Sequence, residues 1–153
     1  MSQTLEKYIA FLEENKPQFA DAIVGSWKAL MFENRYTIHP RRIRELGGKE
    51  IDGLVHFFRT QENAEGVQRG KRRAEEGLGT QSVLALGRNF RQFFLEASSH
   101  QDKEAARIIR LIDDYMAAYV SGFIESREQY ILKEQERLRN AYIAVVKNND
   151  DTT

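Results

Sequence analysis

The sequence predicts an all-α protein, and three observations carry that prediction. Apolar residues recur at three- and four-residue steps through most of the chain. No stretch alternates apolar and polar residues with β-branched enrichment, and no hairpin dipeptide separates two such runs. The two prolines, Pro17 and Pro40, each stand where an apolar pattern starts, the place where a helix tolerates a missing N–H. The pattern divides into about six helices. A chain of 153 residues is expected to form one domain, here 1–147, with 148–153 a polar, disordered tail.

Leu5, Tyr8, Ile9 and Leu12 define the first helix, and Phe19, Ile23, Trp27 and Leu30 the second. Ile43 and Leu46 follow Pro40, and the pattern resumes at Ile51, Leu54, Phe57 and Phe58. Gly47-Gly48 between them predicts a break, because glycine is costly inside a helix. Residues 62–77 are strongly charged and predict a surface helix supported by Glu65–Arg69 and Arg72–Glu76 pairs. GLGT at 77–80 supplies a terminating glycine and Thr80 as the next cap. Val83, Gly87, Phe90 and Phe94 share the face of a fifth helix, and Ser98 with Gln101 has capping-box spacing before a sixth.

That last helix, about 102–147, carries a broad stripe of Ala105, Ile108, Ile112, Tyr115, Met116, Tyr119 and Phe123. At 1.5 Å per residue it would be ~70 Å long, whereas a domain of this mass has a radius of gyration of only ~15 Å. Beyond Phe123 the stripe narrows to Ile124, Ile131, Leu138 and Val145, while the companion positions Arg127, Glu134 and Ala141 are mostly not apolar. A thin seam of this kind suits pairing with a second helix outside the domain, and so a homodimer. The alternative is a charged terminal helix lying on the body.

Composition excludes several function classes. Lys plus Arg and Asp plus Glu balance at 23 each, which removes the net basic face a nucleic-acid binder needs. There is no Cys, so disulfides, thiolate metal ligands and thiol catalysis are out. Apolar runs fall far short of the ~20 residues that span a bilayer, and no signal peptide is visible, so a cytoplasmic location is expected. No two of His39, His56 and His100 stand at i,i+4, and no metal site is expected. The RGKRR run at 69–73 is flanked by Glu65, Glu75 and Glu76 and reads as a solvated face. No nucleophile elbow surrounds any serine, and no catalytic residue is expected.

Apolar volume remains. Trp27, Phe57, Phe58, Phe90, Phe94, Tyr115 and Tyr119 are many large rings for one small helical body. Such rings form plain core or line a pocket between helices. His56, held in LVHFF, raises the question of a haem ligand, against the plainer role of a boundary residue. The candidate pocket is therefore Trp27, His56, Phe58, Phe90, Phe94, Tyr115 and Tyr119.

Three segments carry a family likeness: YIAFLEENKPQFADAIVGSWKAL at 8–30, GKRRAEEGLGTQSVLALGRNFRQFF at 70–94 and FIESREQYILKEQERLR at 123–139. They resemble globin-like bacterial sensor domains, namely the amino-terminal domain of RsbR-type (RsbT co-antagonist) stressosome proteins and the sensor domains of sporulation histidine kinases. The resemblance spans roughly residues 5–145. It implies a globin-like fold without haem, a homodimer, and a last helix running towards a kinase- or stressosome-type output. In some relatives the cavity holds a fatty acid, so an apolar ligand of that class is the expected small molecule. The resemblance lends no catalytic residues. A haem-binding gas sensor using His56 and a ligand-free adaptor or decoy are the alternatives.

Overall fold

The computed structural model describes residues 3–97 and 104–151. Six helices follow one another: α1 (Gln3–Glu14), α2 (Lys16–Ala29), α3 (Pro40–Thr60), α4 (Asn63–Glu75), α5 (Thr80–Ala97) and α6 (Ala105–Asp151), with a 3-10 turn at Met31–Glu33. There is no strand among the described residues. The expected stripes are the buried faces: Leu5, Tyr8, Ile9 and Leu12 on α1, Phe19, Ile23 and Trp27 on α2, and Ile108 to Phe123 on α6. They meet in one apolar core to which every helix contributes. Each buried aliphatic or Phe side chain contributes about 1.5–3 kcal/mol to that association.

Both prolines lie in the first turn of a helix. His39 caps α3, its Nδ1 accepting from the Arg41 N–H at 3.1 Å. The expected break at Gly47-Gly48 is absent, and α3 runs unbroken for 21 residues. Gly47 lies where α3 crosses α2 closely; a Cβ there would come within 2.8 Å of the Ala20 carbonyl oxygen. Its small size serves packing between helices, which offsets the propensity cost.

The second correction concerns α4, expected as a surface helix. Gly66, Gly70, Arg73 and Ala74 are buried, and α4 and α6 form the most extensive helix pair of the fold. Backbones touch at the crossing: a Cβ on Gly70 would fall 1.8 Å from the Tyr119 carbonyl oxygen, and one on Gly122 2.0 Å from that of Val67. The Glu65–Arg69 pair forms at 3.0 Å, whereas Glu76 is engaged by Arg42 and Arg73.

Helix α4 ends on Gly77, at φ 91°. The Leu78 N–H bonds the Arg73 carbonyl and the Gly77 N–H that of Ala74, both at 3.0 Å, the paired bonds of a Schellman end. Thr80 is the first residue of α5 and not its cap; the Val83 N–H reaches the Gly79 carbonyl. The Ser98–Gln101 box and His100 lie outside the described residues. Helix α6 has 47 residues, ~70 Å of length, and continues through residues 148–151, where the sequence reading placed a disordered tail.

Candidate functional site

Six of the seven candidate pocket residues enter the core: Trp27, Phe58, Phe90, Phe94, Tyr115 and Tyr119 are each at most 1 % exposed. Phe90 meets Tyr115 at 6.2 Å between ring centroids, and Tyr115 meets Tyr119 at 6.0 Å. Tyr8 joins them from α1, 5.6 Å from Phe58 and edge-on to Phe94 at 5.1 Å. Its hydroxyl donates to the Phe90 carbonyl at 3.1 Å, and the Trp27 indole N–H donates to that of Ser82 at 3.0 Å. Burial pushes the Tyr8 phenol far up. Such ring pairs add about 0.5–1.5 kcal/mol each beyond area.

His56 does not join these rings. It is exposed on α3, with Nε2 2.6 Å from the Glu65 carboxylate. Hydrophobic neighbours in sequence misled here, because Val55 and Phe57 face the core while the residue between them points outward.

Two surface grooves lie elsewhere. One, of about 430 Å³, sits between the end of α3, the start of α4 and the first third of α6. Phe57, Val67, Leu111 and Ala118 give it an apolar floor, with Asn63 and Asp114 among its polar lining residues. Its volume is within the usual range for small-molecule sites, about 300–1,000 Å³. The other, of about 260 Å³, is lined by Glu13, Lys16, Asp52, His56 and Arg59 besides Ile51 and Val55. None of the six buried rings lines either groove.

Sequence reading missed a buried ion pair. Glu50 of α3 is fully buried and Arg73 of α4 is 3 % exposed; the Arg73 Nε donates to Glu50 Oε1 at 2.5 Å. Arg73 also donates to Glu76 at 3.2 Å, and Glu76 accepts two 3.0 Å bonds from Arg42. Tyr115 and Tyr119 of α6 face the same cluster. Their hydroxyls and Glu50 Oε2 have no partner of hydrogen-bond geometry, although the Tyr119 hydroxyl acts on the Glu50 carboxylate at close range. Burial pushes the Glu50 carboxyl up, opposed by the charge of Arg73. The available signal was position: Glu50 lies four residues from both Leu46 and Leu54, on the buried stripe of α3.

The exit of α6 from the body is held by contacts from distant segments. The Arg35 guanidinium stacks 3.8 Å from the Tyr130 ring centre and donates to the Ala74 carbonyl. Tyr36 meets Tyr130 edge-on at 5.8 Å. Arg127 donates to the Thr80 hydroxyl, and Lys71 lies 3.5 Å from Glu125. Phe123 is the last buried residue of the helix. Beyond Tyr130 a further 21 residues extend, ~30 Å of helix. Ile124, Ile131, Leu138 and Val145 are 46 %, 41 %, 62 % and 58 % exposed, so the structure aligns the expected seam and leaves it uncovered. Among the described residues no helix is long and apolar enough to cross a membrane, and no three His, Cys, Asp or Glu side chains are placed to hold a metal ion. No family model matches the chain, and no curated protein or solved structure matches it.

Proposed function

We propose that the chain is a non-haem, globin-like sensory and dimerisation module of a bacterial signalling system of the stress-response or sporulation type, with no enzymatic activity and a cytoplasmic location. The observation that carries this reading is α6: it leaves the body beyond Tyr130 and keeps an apolar residue at every seventh position on an uncovered face. Two such helices pairing along Ile124, Ile131, Leu138 and Val145 form the homodimer, and the paired helices carry the signal to a kinase- or stressosome-type partner. The resemblance to sensor domains supports the same assignment.

The apolar, fatty-acid-like ligand of this reading belongs in the groove over Phe57, Leu111 and Ala118, not among the buried rings. Residues of α6 form one wall of that groove, so a ligand there touches the output helix directly. It acts by binding one packing of α6 better than another. Haem is not favoured, because His56 is engaged by Glu65 on the outer surface.

Native mass spectrometry of freshly purified full chain tests both halves. A dimer carrying a lipid-sized mass is expected, and the Ile131→Asp, Leu138→Asp double variant should appear as a monomer that retains the ligand. A wild-type monomer would overturn the dimer, and an empty dimer would overturn the ligand.

A further inference from the structure

The larger groove is one-sided in its charge. Leu111, Asp114, Ala118 and Ser121 line it from α6, at steps of three and four residues that set them along one side of the helix. Gln61 and Asn63 line it from the α3–α4 junction. Among the described residues that line it, Asp114 alone is charged, and no Lys, Arg or His joins it.

Neighbouring cations are engaged elsewhere. Arg91 holds Asp113, at 2.6 Å. Arg110, one turn before Asp114, donates to the Ala106 carbonyl at 3.4 Å. Arg59, near the end of α3, holds Glu13 at 2.6 Å. Asp114 is exposed and has no ion-pair partner among the described residues. Helix ends do not supply a compensating charge. The C-terminus of α3 and the N-terminus of α4 meet at Gln61 and Glu62, so their opposite end charges offset.

The polar groups of the groove then differ in what they select. The amides of Gln61 and Asn63 and the Ser121 hydroxyl both donate and accept, so they accommodate either kind of polar head. A carboxylate only accepts, and its charge attracts a cation and repels a second anion. We propose that the groove takes an amphiphile with an ammonium head, its alkyl chain lying on Phe57, Leu111 and Ala118 and its ammonium donating to Asp114. The fatty-acid likeness then holds for the chain of the ligand and not for its carboxylate. This rests on the groove being the ligand site, as proposed above.

Heteronuclear NMR of the labelled full chain, titrated with octylamine, octanol and octanoate below their aggregation limits, tests it. Shifts of the Asn63, Ala118 and Ser121 amides report the groove. Octylamine should bind tightest and octanoate weakest. Asp114→Asn should weaken octylamine roughly two- to fivefold, the range of an exposed ion pair, strengthen octanoate and leave octanol unchanged. Octanoate binding as tightly as octylamine, or an octylamine affinity that Asp114→Asn leaves unchanged, would overturn the ammonium head and leave the groove standing. If none of the three compounds shifts those amides, the groove reading falls and this inference with it.

Discussion

The buried Glu50–Arg73 pair is the most demanding arrangement at the level of single residues. Two charges taken out of water are tolerable only while each has the other. Replacing Arg73 by Met strands the Glu50 carboxylate and should cost about 3–5 kcal/mol, whereas the Glu50→Leu, Arg73→Met double variant should recover most of the loss; urea unfolding of the four proteins closes the cycle. The neighbouring Glu76 gives the acid response. Burial pushes its carboxyl up, but the Arg42 hydrogen bonds and the Arg73 charge prevail and hold it below the ordinary 4.5. A carboxyl lowered on folding contributes stability above its unfolded value, and that contribution disappears as pH falls through the folded value. Glu76→Gln should therefore lower stability at pH 7 by about 1 kcal/mol, after discounting partial exposure, and lose less than wild type below the unfolded value. Urea midpoints on either side of it show the difference. Glu50, raised by burial, acts in the opposite sense and gains as pH falls. In the sequence only the place of Glu50 on the stripe of Leu46 and Leu54 was legible; its partner was not, because the burial of Arg73 depends on what crosses above it.

Among the helices, apolar spacing revealed where each one runs and which face it buries. It did not show what lies against that face. Glycine shows the difference. Gly47-Gly48 read as a break because propensity counts only the helix's own backbone; with α2 packed against it, the missing Cβ becomes the reason the crossing forms. Gly70 and Gly122 do the same for α4 and α6, a pairing that a charged sequence at 62–77 concealed. Gly70→Ala and Gly122→Ala should each cost about 3 kcal/mol or more, since backbone has to move. Gly25 is exposed on α2, and a Cβ there meets nothing within 4 Å. Gly25→Ala should stabilise by roughly 0.5–1 kcal/mol. Thermal unfolding of the three variants separates close approach from helix propensity.

For the whole molecule, the sequence foretold a helix too long for its body, and the structure places its last buried residue at Phe123. The clamp at its exit could not be read in advance, because Arg35, Tyr36 and Tyr130 belong to segments far apart in the chain that only the fold brings together. The expected pocket of rings was legible as a cluster and not as a cavity: spacing identifies inward-facing aromatics, while free volume depends on how neighbouring helices fill it. Clamped at its base and uncovered beyond it, α6 is a stiff arm with an exposed apolar face. Because the chain has no Cys, one spin label on an Asn140→Cys variant, about 200° round the helix from Leu138 and so clear of the seam, lets double electron–electron resonance on the full chain read the distance between copies. A paired seam predicts a defined distance, set by interaxial packing of about 8–10 Å plus the helix radii and label arms, that vanishes when Ile131→Asp and Leu138→Asp are added. A folded protein with no dipolar coupling between labels would contradict it.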